Sequence, residues 1–195
     1  MGLENAKNGK LLYHLTKLEN LESILKNGLL SRKRVKDNNI GFEDVADTEI
    51  ITKRTNLGLD LYTPFHFHPY SAFDKAVKSS YEGEFIYICI MRRLARNNKF
   101  KILPKHPLSL EECVLYEYDE GFETIDWDTM QKVGTTDDYS KSVKMAECLT
   151  KLVIPVNCFE IIYVKSEETK KIVENMLIEN GINRKPPYVN VQVWL

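Results

Sequence analysis

The sequence predicts an α+β fold with a largely antiparallel or mixed sheet. Its strand-like segments are many and short, and they mix with helix-like segments in no strict alternation. Neither GxGxxG nor GxxxxGK[ST], the glycine-rich phosphate loops, occurs in the chain. A doubly wound or P-loop nucleotide site is therefore unsupported. The length of 195 residues predicts a single domain over residues 1–195.

The first third of the chain predicts one strand, one helix and a long polar segment. A strand is expected over 11–15, and a helix follows with apolar residues at helical spacing and Gly28 as its C-terminal cap. Thr16 and Glu19 have the spacing of a capping box for that helix. Residues 31–61 are polar and poorly periodic, apart from a possible short helix near 43–53, which is typical of a functional loop.

The rest of the chain predicts the remaining strands and two further helices. Residues 119–141 are acidic and predict a loop, with a short helix possible around Trp127. Helices are expected over 71–80 and from Ser166 to Gly181. The nearly continuous apolar run at 84–91 predicts a strand buried on both faces. Further strands are expected over 62–67, 100–103, 147–153, 158–164 and 188–194.

Composition indicates a soluble globular protein. Apolar residues make up 43% and charged residues 28% of the chain. No apolar run approaches the ~18 residues that span a bilayer, and the N-terminus lacks the apolar stretch of a secretory signal. The cysteines are widely spaced without a CxxC pair, which favours reduced thiols and a cytoplasmic location; they are Cys89, Cys113, Cys148 and Cys158.

Charge argues against tight binding of duplex DNA through phosphates alone. The formal net charge is −1, whereas such binding uses many Lys and Arg contacts. Two local basic patches occur, at 31–36 and at 91–96. Each taken alone is more typical of a solvated charged surface.

Three segments carry a resemblance to a known family. The first is Tyr-His-Leu-Thr at 13–16, followed by Asn-Leu at 20–21 and Gly-Leu-Leu at 28–30. The second is Tyr-Thr-Pro-Phe-His-Phe-His-Pro-Tyr-Ser at 62–71. The third is Ala-Glu-Cys-Leu at 146–149, followed by Pro155. In order and spacing they resemble the DarT family of ADP-ribosyltransferase toxins. Lys17 and Tyr70 depart from it, replacing a His and an Arg.

The resemblance implies a fold and an activity. It implies an ADP-ribosyltransferase-like split mixed β-sheet with flanking helices, and NAD bound in a cleft between the halves of the sheet. It further implies transfer of ADP-ribose to a base in single-stranded DNA, by a toxin that a macrodomain antitoxin restrains or that acts in phage defence.

The chemistry of this transfer calls for a fixed carboxylate. Positive charge develops on the ribose as neutral nicotinamide departs, so a carboxylate can stabilise it or accept a proton from the nucleophile. Glu147 is the predicted residue, because it begins an apolar strand where a charge is otherwise out of place. Glu160 is a weaker competitor. The resemblance also places Arg54 against the NAD phosphates, as a second catalytic residue; a surface arginine is an equal alternative.

Five residues are predicted to contact NAD, and four to contact the nucleic acid. His14 can hydrogen-bond a ribose hydroxyl or the nicotinamide amide, whereas Thr16 and Asn20 also suit structural roles at a helix end. In the resemblance the aromatic segment lies near the nicotinamide, which adds Tyr62 and Phe67. Stacking and phosphate contacts to single-stranded DNA are assigned to Tyr70, Phe73, Arg92 and Arg93.

Other functions remain open at this point. His66 and His68 form an HxH pair, but neither His106 nor the cysteines complete a zinc-like spacing, so no metal is expected. RNA or protein can replace DNA as the acceptor on the same fold. A non-catalytic module that binds nucleotide or nucleic acid is the remaining alternative.

Overall fold

A seven-stranded mixed sheet forms the centre of the fold in the computed structural model, which describes residues 5–44, 48–107 and 114–192. The strands are β1 (Leu11–Lys17), β2 (Thr63–His66), β3 (Phe85–Met91), β4 (Lys101–Leu103), β5 (Glu147–Thr150), β6 (Ile161–Val164) and β7 (Tyr188–Val191). Their order in the sheet is β4-β5-β2-β1-β3-β6-β7. The β6–β7 pair is parallel, and the other neighbours are antiparallel. The predicted α+β class with a mixed sheet is confirmed.

Helices connect and cover these strands. Within the described ranges they are α1 (Leu21–Asn27), α2 (Arg32–Asp37), α3 (Thr48–Asn56), α4 (Ala72–Ser80), α5 (Arg92–Asn97), α6 (Tyr118–Thr124), α7 (Trp127–Gln131), α8 (Asp138–Lys144) and α9 (Glu167–Glu179). Short 3-10 turns lie at Leu18–Asn20, Leu59–Leu61 and Val156–Cys158. The strand predicted over 188–194 ends at Val191, and Trp194 lies outside the described residues.

Two segments predicted as loops with one possible short helix each are largely helical, and α3 and α7 lie near the two possible helices. Residues 31–61 contain α2 and α3, and residues 119–141 contain most of α6, α7 and α8. The acidic residues that suggested a loop in the second segment act as helix caps. Asp126 accepts from the backbone N–H of Thr129, and Asp137 accepts from that of Ser140, each at 2.9 Å. A capping carboxylate satisfies an N–H that has no partner inside the helix, so even a helix of two turns is stabilised.

The predicted capping box at Thr16 and Glu19 is absent. Thr16 lies inside β1, and its hydroxyl accepts a hydrogen bond from Asn20 at 3.1 Å. A capping box forms instead at the start of α4. There Ser71 accepts from the backbone N–H of Asp74 at 3.0 Å, and the Asp74 carboxylate accepts from the backbone N–H of Ser71 at 3.3 Å.

The sheet opens between β1 and β2. Strand β1 pairs with β3 along its whole length, but its register with β2 is the single pair Tyr13 opposite His66. Beyond that pair the two strands diverge. The His14 side chain bridges the opening by a 2.8 Å contact between its Nδ1 and the Pro64 carbonyl. A crevice therefore begins where the ladder stops.

The two faces of the sheet differ in character. Cross-strand partners place their side chains on one face, and the row of Ile102, Cys148 and Phe65 belongs to the main core. The adjacent row, on the other face, contains Glu147 and His66. The register of the sheet thus brings a carboxylate and an imidazole side by side.

The described part of the chain holds three free cysteines. Cys89 and Cys148 are buried and Cys158 is half-buried, whereas Cys113 lies outside the described residues. Burial raises the pKa of the Cys158 thiol, and more strongly that of the Cys89 thiol. These thiols are therefore protonated and unreactive near neutral pH. Among the described residues, no helix is long and apolar enough to cross a membrane.

Candidate active site

A large cavity opens at the crevice between β1 and β2. It has a volume of about 1200 Å³ when the part open to solvent is included. Its walls come from β1, α1, the segment from Gly28 to Asp44, α3, β2, the start of α4 and the start of β5. The long polar segment predicted as a functional loop therefore supplies one wall, although much of it is helical.

A buried ion pair lies in this cavity wall. Arg54 Nη1 donates to both carboxylate oxygens of Glu147, at 2.7 and 2.9 Å. Arg54 is 5% exposed and Glu147 is 3% exposed. Arg54 lies in the last turn of α3, where the helix dipole favours a cation, and Glu147 is the first residue of β5. The structure thus joins two residues that lie 93 positions apart in the sequence.

The electrostatics of the pair hold Glu147 as an anion. Burial alone raises the pKa of Glu147, but the charge and hydrogen bonds of Arg54, together with His66 and His106, outweigh it and lower the net pKa. A carboxylate that stays ionised suits the stabilisation of positive charge nearby. Among the described atoms, Arg54 Nη2 is buried without a hydrogen-bond partner. That nitrogen is a donor available to an anionic ligand.

His14 presents a neutral imidazole to the cavity. Burial lowers its pKa to about 4, against the opposing effect of its bond to the Pro64 carbonyl. Because a carbonyl oxygen can only accept, Nδ1 carries the proton and donates to Pro64. The lone pair of Nε2 is then available to accept from a ligand hydroxyl or amide.

Asn20 ties the wall of the cavity together. Its amide donates to the Thr16 hydroxyl at 3.1 Å and to the Glu43 carbonyl at 3.0 Å, and its oxygen accepts from the Glu43 backbone N–H at 2.7 Å. Both Thr16 and Asn20 line the cavity, as predicted NAD contacts should. Their polar atoms nevertheless bind each other and the loop, so a role in positioning this wall is what the geometry shows.

A second cation lies in the same wall. Arg32 makes a two-point contact with Asp44, from Nε and Nη2 at 2.7 Å each. Both residues line the cavity. Arg32 belongs to the basic patch at 31–36, so one member of that patch faces the cavity and is not merely part of a solvated surface.

The aromatic residues of the 62–73 segment separate into two groups. Tyr62 and Phe73 line the cavity. Phe67 does not, which corrects its assignment as an NAD contact. It is 2% exposed in the main core and packs edge-on against Trp127 at 5.3 Å. Tyr70 lies outside the cavity lining and stacks on His68 with ring centroids 6.4 Å apart.

Arg92 has a structural role, because its side chain is buried and bound to backbone carbonyls. This corrects its assignment as a contact to nucleic acid. It is 7% exposed, and its guanidinium donates to four backbone carbonyls, those of Ala6, Lys7, Leu11 and Phe67. Its neighbour Arg93 is exposed. Adjacent basic residues at the start of α5 thus face opposite environments, because successive positions on a helix point about 100° apart.

Sequence reasoning missed several polar residues of the cavity, including two histidines and a buried carboxylate. His66, Asp74 and His106 all line it. The sequence presents His66 and His106 only as potential metal ligands, and it gives no indication that Asp74 lies at the site. A usable signal was present for His66, since it lies inside the central motif. His106 lies in a segment without periodicity, where the sequence gives no clue to its neighbours.

Two further assignments can be placed. Glu160, the competing carboxylate, is exposed and lies outside the cavity lining. The described residues contain no group of three or more His, Cys, Asp or Glu side chains arranged to hold a metal ion.

The split sheet and its flanking helices define an ADP-ribosyltransferase-like fold. A family described as "ssDNA thymidine ADP-ribosyltransferase, DarT" matches residues 13–194. The chain therefore belongs to the DarT family, and the prediction of an ADP-ribosyltransferase acting on single-stranded DNA is confirmed. No curated protein matches the chain.

Solved structures with the same fold include three informative ones. Thermus sp. 2.9 DarT in complex with ADP-ribosylated ssDNA has a TM-score of 0.83 at 21% identity, with 95% of each chain covered. The same protein with NAD+ has a TM-score of 0.78 at 20% identity, covering 94% of this chain and 96% of that one. Thermosipho africanus DarTG with ADP-ribose has a TM-score of 0.72 at 19% identity, and this chain spans 50% of its length.

Proposed function

We propose that this protein binds NAD in the cavity and transfers ADP-ribose to a thymidine base of single-stranded DNA, with Glu147 and Arg54 at the reacting centre. The buried Arg54–Glu147 pair in the cavity wall carries the proposal. A Thermus protein of the same fold has been solved with NAD+ and with ADP-ribosylated ssDNA, which supports the choice of both substrates.

Glu147 stabilises the charge that develops on the ribose. As the bond to nicotinamide breaks, the ribose acquires positive charge like that of a glycosidase transition state. The ionised carboxylate is already fixed by two hydrogen bonds from Arg54. It therefore needs little reorganisation during the reaction, which is what makes such stabilisation effective.

Arg54 binds the NAD pyrophosphate through the nitrogen that Glu147 does not use. Nη1 contacts Glu147, and Nη2 has no partner among the described atoms. A guanidinium has five N–H donors, so one side chain can hold a carboxylate and a phosphate together. The chain has no glycine-rich phosphate loop to supply backbone donors instead.

The remaining contacts to NAD and DNA are proposed from where each residue lies relative to the cavity. His14 accepts from a ribose hydroxyl or the nicotinamide amide through Nε2, and Tyr62 contributes an aromatic wall. Phe73 stacks on the DNA at the cavity, and Tyr70 and Arg93 contact the strand outside it. No metal takes part in this proposal.

The cellular role proposed is that of a cytoplasmic toxin restrained by an antitoxin. The resemblance implies a macrodomain antitoxin, and the match to half of a DarTG chain supports a partner of this kind. Uncontrolled modification of single-stranded DNA blocks its use as a template, so a restraint is needed.

The direct test is transfer from labelled NAD to a panel of acceptors. The purified protein is incubated with single-stranded DNA, duplex DNA, RNA and protein, in parallel with Glu147→Gln. We expect label on thymidine-containing single strands and none with Glu147→Gln. Label on RNA or protein alone would support the same fold with another acceptor. Binding of NAD without turnover by either form would show a non-catalytic nucleotide-binding module.

A further inference from the structure

His66 lies directly beside Glu147 on the same face of the sheet. The two residues are cross-strand partners on β2 and β5. Directly opposed side chains in a sheet have Cβ atoms about 4.5–5.5 Å apart. His66 is 9% exposed and lines the cavity, and its ring packs edge-on against Phe73 at 6.2 Å. The imidazole is therefore held within reach of whatever base lies against Glu147.

The Asp74 carboxylate lies behind His66. Its Oδ2 is 4.0 Å from His66 Nδ1, and Asp74 is 2% exposed. The backbone N–H of Ser71 donates to the Asp74 carboxylate at 3.3 Å and holds it at the start of α4. A carboxylate held against one imidazole nitrogen directs the other nitrogen away from itself and stabilises the imidazolium form.

Other charged and titratable groups also act on His66. His66 interacts electrostatically with Glu147, His14 and His68. Burial keeps His14 and His68 neutral near pH 7, because their pKa values fall to about 4 and about 3. Arg54 donates to Glu147 through Nη1. His106, which also lines the cavity, acts electrostatically on Glu147. Two carboxylates, Glu147 and Asp74, thus lie beside the His66 imidazole.

Transfer to thymine must release a proton, and Glu147 is a poor acceptor for it. A thymine in DNA has one ring N–H, at the nitrogen not bound to the sugar, so a new bond at that nitrogen requires its loss. The hydrogen bonds from Arg54 make Glu147 weakly basic. We propose that His66, oriented by Asp74, accepts the N–H proton of the acceptor base during transfer. This inference rests on the proposed function.

The step balances as a single displacement. The ring nitrogen bonds to the anomeric carbon of the ADP-ribose, and the bond from that carbon to the nicotinamide nitrogen breaks. The electron pair of the broken bond stays on nicotinamide, which leaves neutral. The N–H proton moves to His66 Nε2, and the imidazolium formed is stabilised by Asp74 before it releases the proton to solvent.

The test is single-turnover transfer from saturating NAD to a thymidine oligonucleotide, measured from pH 5.5 to 9 with wild type, His66→Gln, Asp74→Asn and Ser71→Ala. We expect the wild-type rate to rise over the range in which histidines titrate. His66→Gln should lower the rate about 10²–10⁴-fold, the usual contribution of a general base, and abolish that rise. Asp74→Asn should also lower the rate, because the imidazole loses the carboxylate that orients it. Ser71→Ala removes the hydroxyl that accepts from the Asp74 backbone N–H, but it keeps the backbone N–H that donates to the Asp74 carboxylate. The carboxylate therefore stays beside His66, and this variant should retain the wild-type profile.

A second acceptor separates a chemical role from a structural one. An oligonucleotide with 5-fluorouracil in place of thymine has a more acidic N–H, so His66→Gln should lose far less rate with it. NAD affinity of His66→Gln, measured by calorimetry with an unreactive analogue, should equal that of wild type. Equal losses on both oligonucleotides with an unchanged pH profile would overturn the inference and leave the proposed function intact. A wild type inactive on every acceptor would overturn both. If His66→Gln fails to fold, the same comparison of the two oligonucleotides with Asp74→Asn decides the question.

Discussion

Removal of Arg54 tests how the ion pair is stabilised. In Arg54→Ala the Glu147 carboxylate remains 3% exposed in the wild-type geometry, now without its cation. Breaking a buried pair by removing one partner typically costs about 3–5 kcal/mol, because an uncompensated charge is left in a poorly solvated place. The carboxyl group can avoid this cost by binding a proton.

Protonation of Glu147 limits how much stability Arg54→Ala can lose through the buried charge. Protonating a carboxyl of ordinary pKa 4.5 at pH 7.5 takes three pH units, or about 4 kcal/mol at about 1.36 kcal/mol per unit. At pH 5.5 the same step takes one unit, or about 1.4 kcal/mol. In wild type, by contrast, the ionised form of Glu147 stabilises the folded state. The pKa of Glu147 is depressed by folding, so its contribution to stability is full above its unfolded pKa and is lost as pH falls through the folded value.

The assay is urea denaturation of wild type and Arg54→Ala at pH 7.5 and pH 5.5. We expect the difference in unfolding free energy to shrink by up to about 2.7 kcal/mol between the two, twice the cost of one pH unit. The double variant Arg54→Ala with Glu147→Gln has no charge to bury, so its loss should not depend on pH. A loss in Arg54→Ala that is equal at both pH values would refute the account of Glu147 as an ion held by Arg54.

Three further outcomes are expected. His14→Ala should weaken binding of an unreactive NAD analogue more than Lys17→Ala, because His14 lines the cavity whereas Lys17 pairs with Glu43 at 3.8 Å; calorimetry that found the larger loss at Lys17 would indicate another pocket. Expression without an antitoxin should arrest growth, and Glu147→Ala should relieve it; equal toxicity would remove Glu147 from the reaction. Arg92→Met should cost about 3 kcal/mol or more in urea unfolding, since it orphans buried carbonyls, whereas the exposed Arg93→Met should change stability by less than about 0.5 kcal/mol.

Local pattern was enough to locate the strands, but β5 ends three residues before the predicted boundary and β6 begins three residues after it. The run at 84–91 gave β3, and Ser166 and Gly181 bracketed α9. The pattern gave the wrong prediction where the same polar residue types occur both in loops and as helix caps. Asp126 and Asp137 suggested a loop by composition but cap helices in the structure. A capping residue and a loop residue have the same identity, and only the conformation of the following turn distinguishes them.

The sequence by itself determined the class of fold, the family and the separate candidacies of Arg54 and Glu147. These follow from periodicity and from short motifs, which are properties of neighbouring residues. Tertiary structure alone decided that these two residues meet, that Phe67 and Arg92 face the interior, and that His66 lies beside both Glu147 and Asp74. Strand register and the rotation of each helix about its axis determine such contacts between distant residues. A shift of one residue turns a side chain to the opposite face, and no local pattern specifies which distant strand becomes the neighbour.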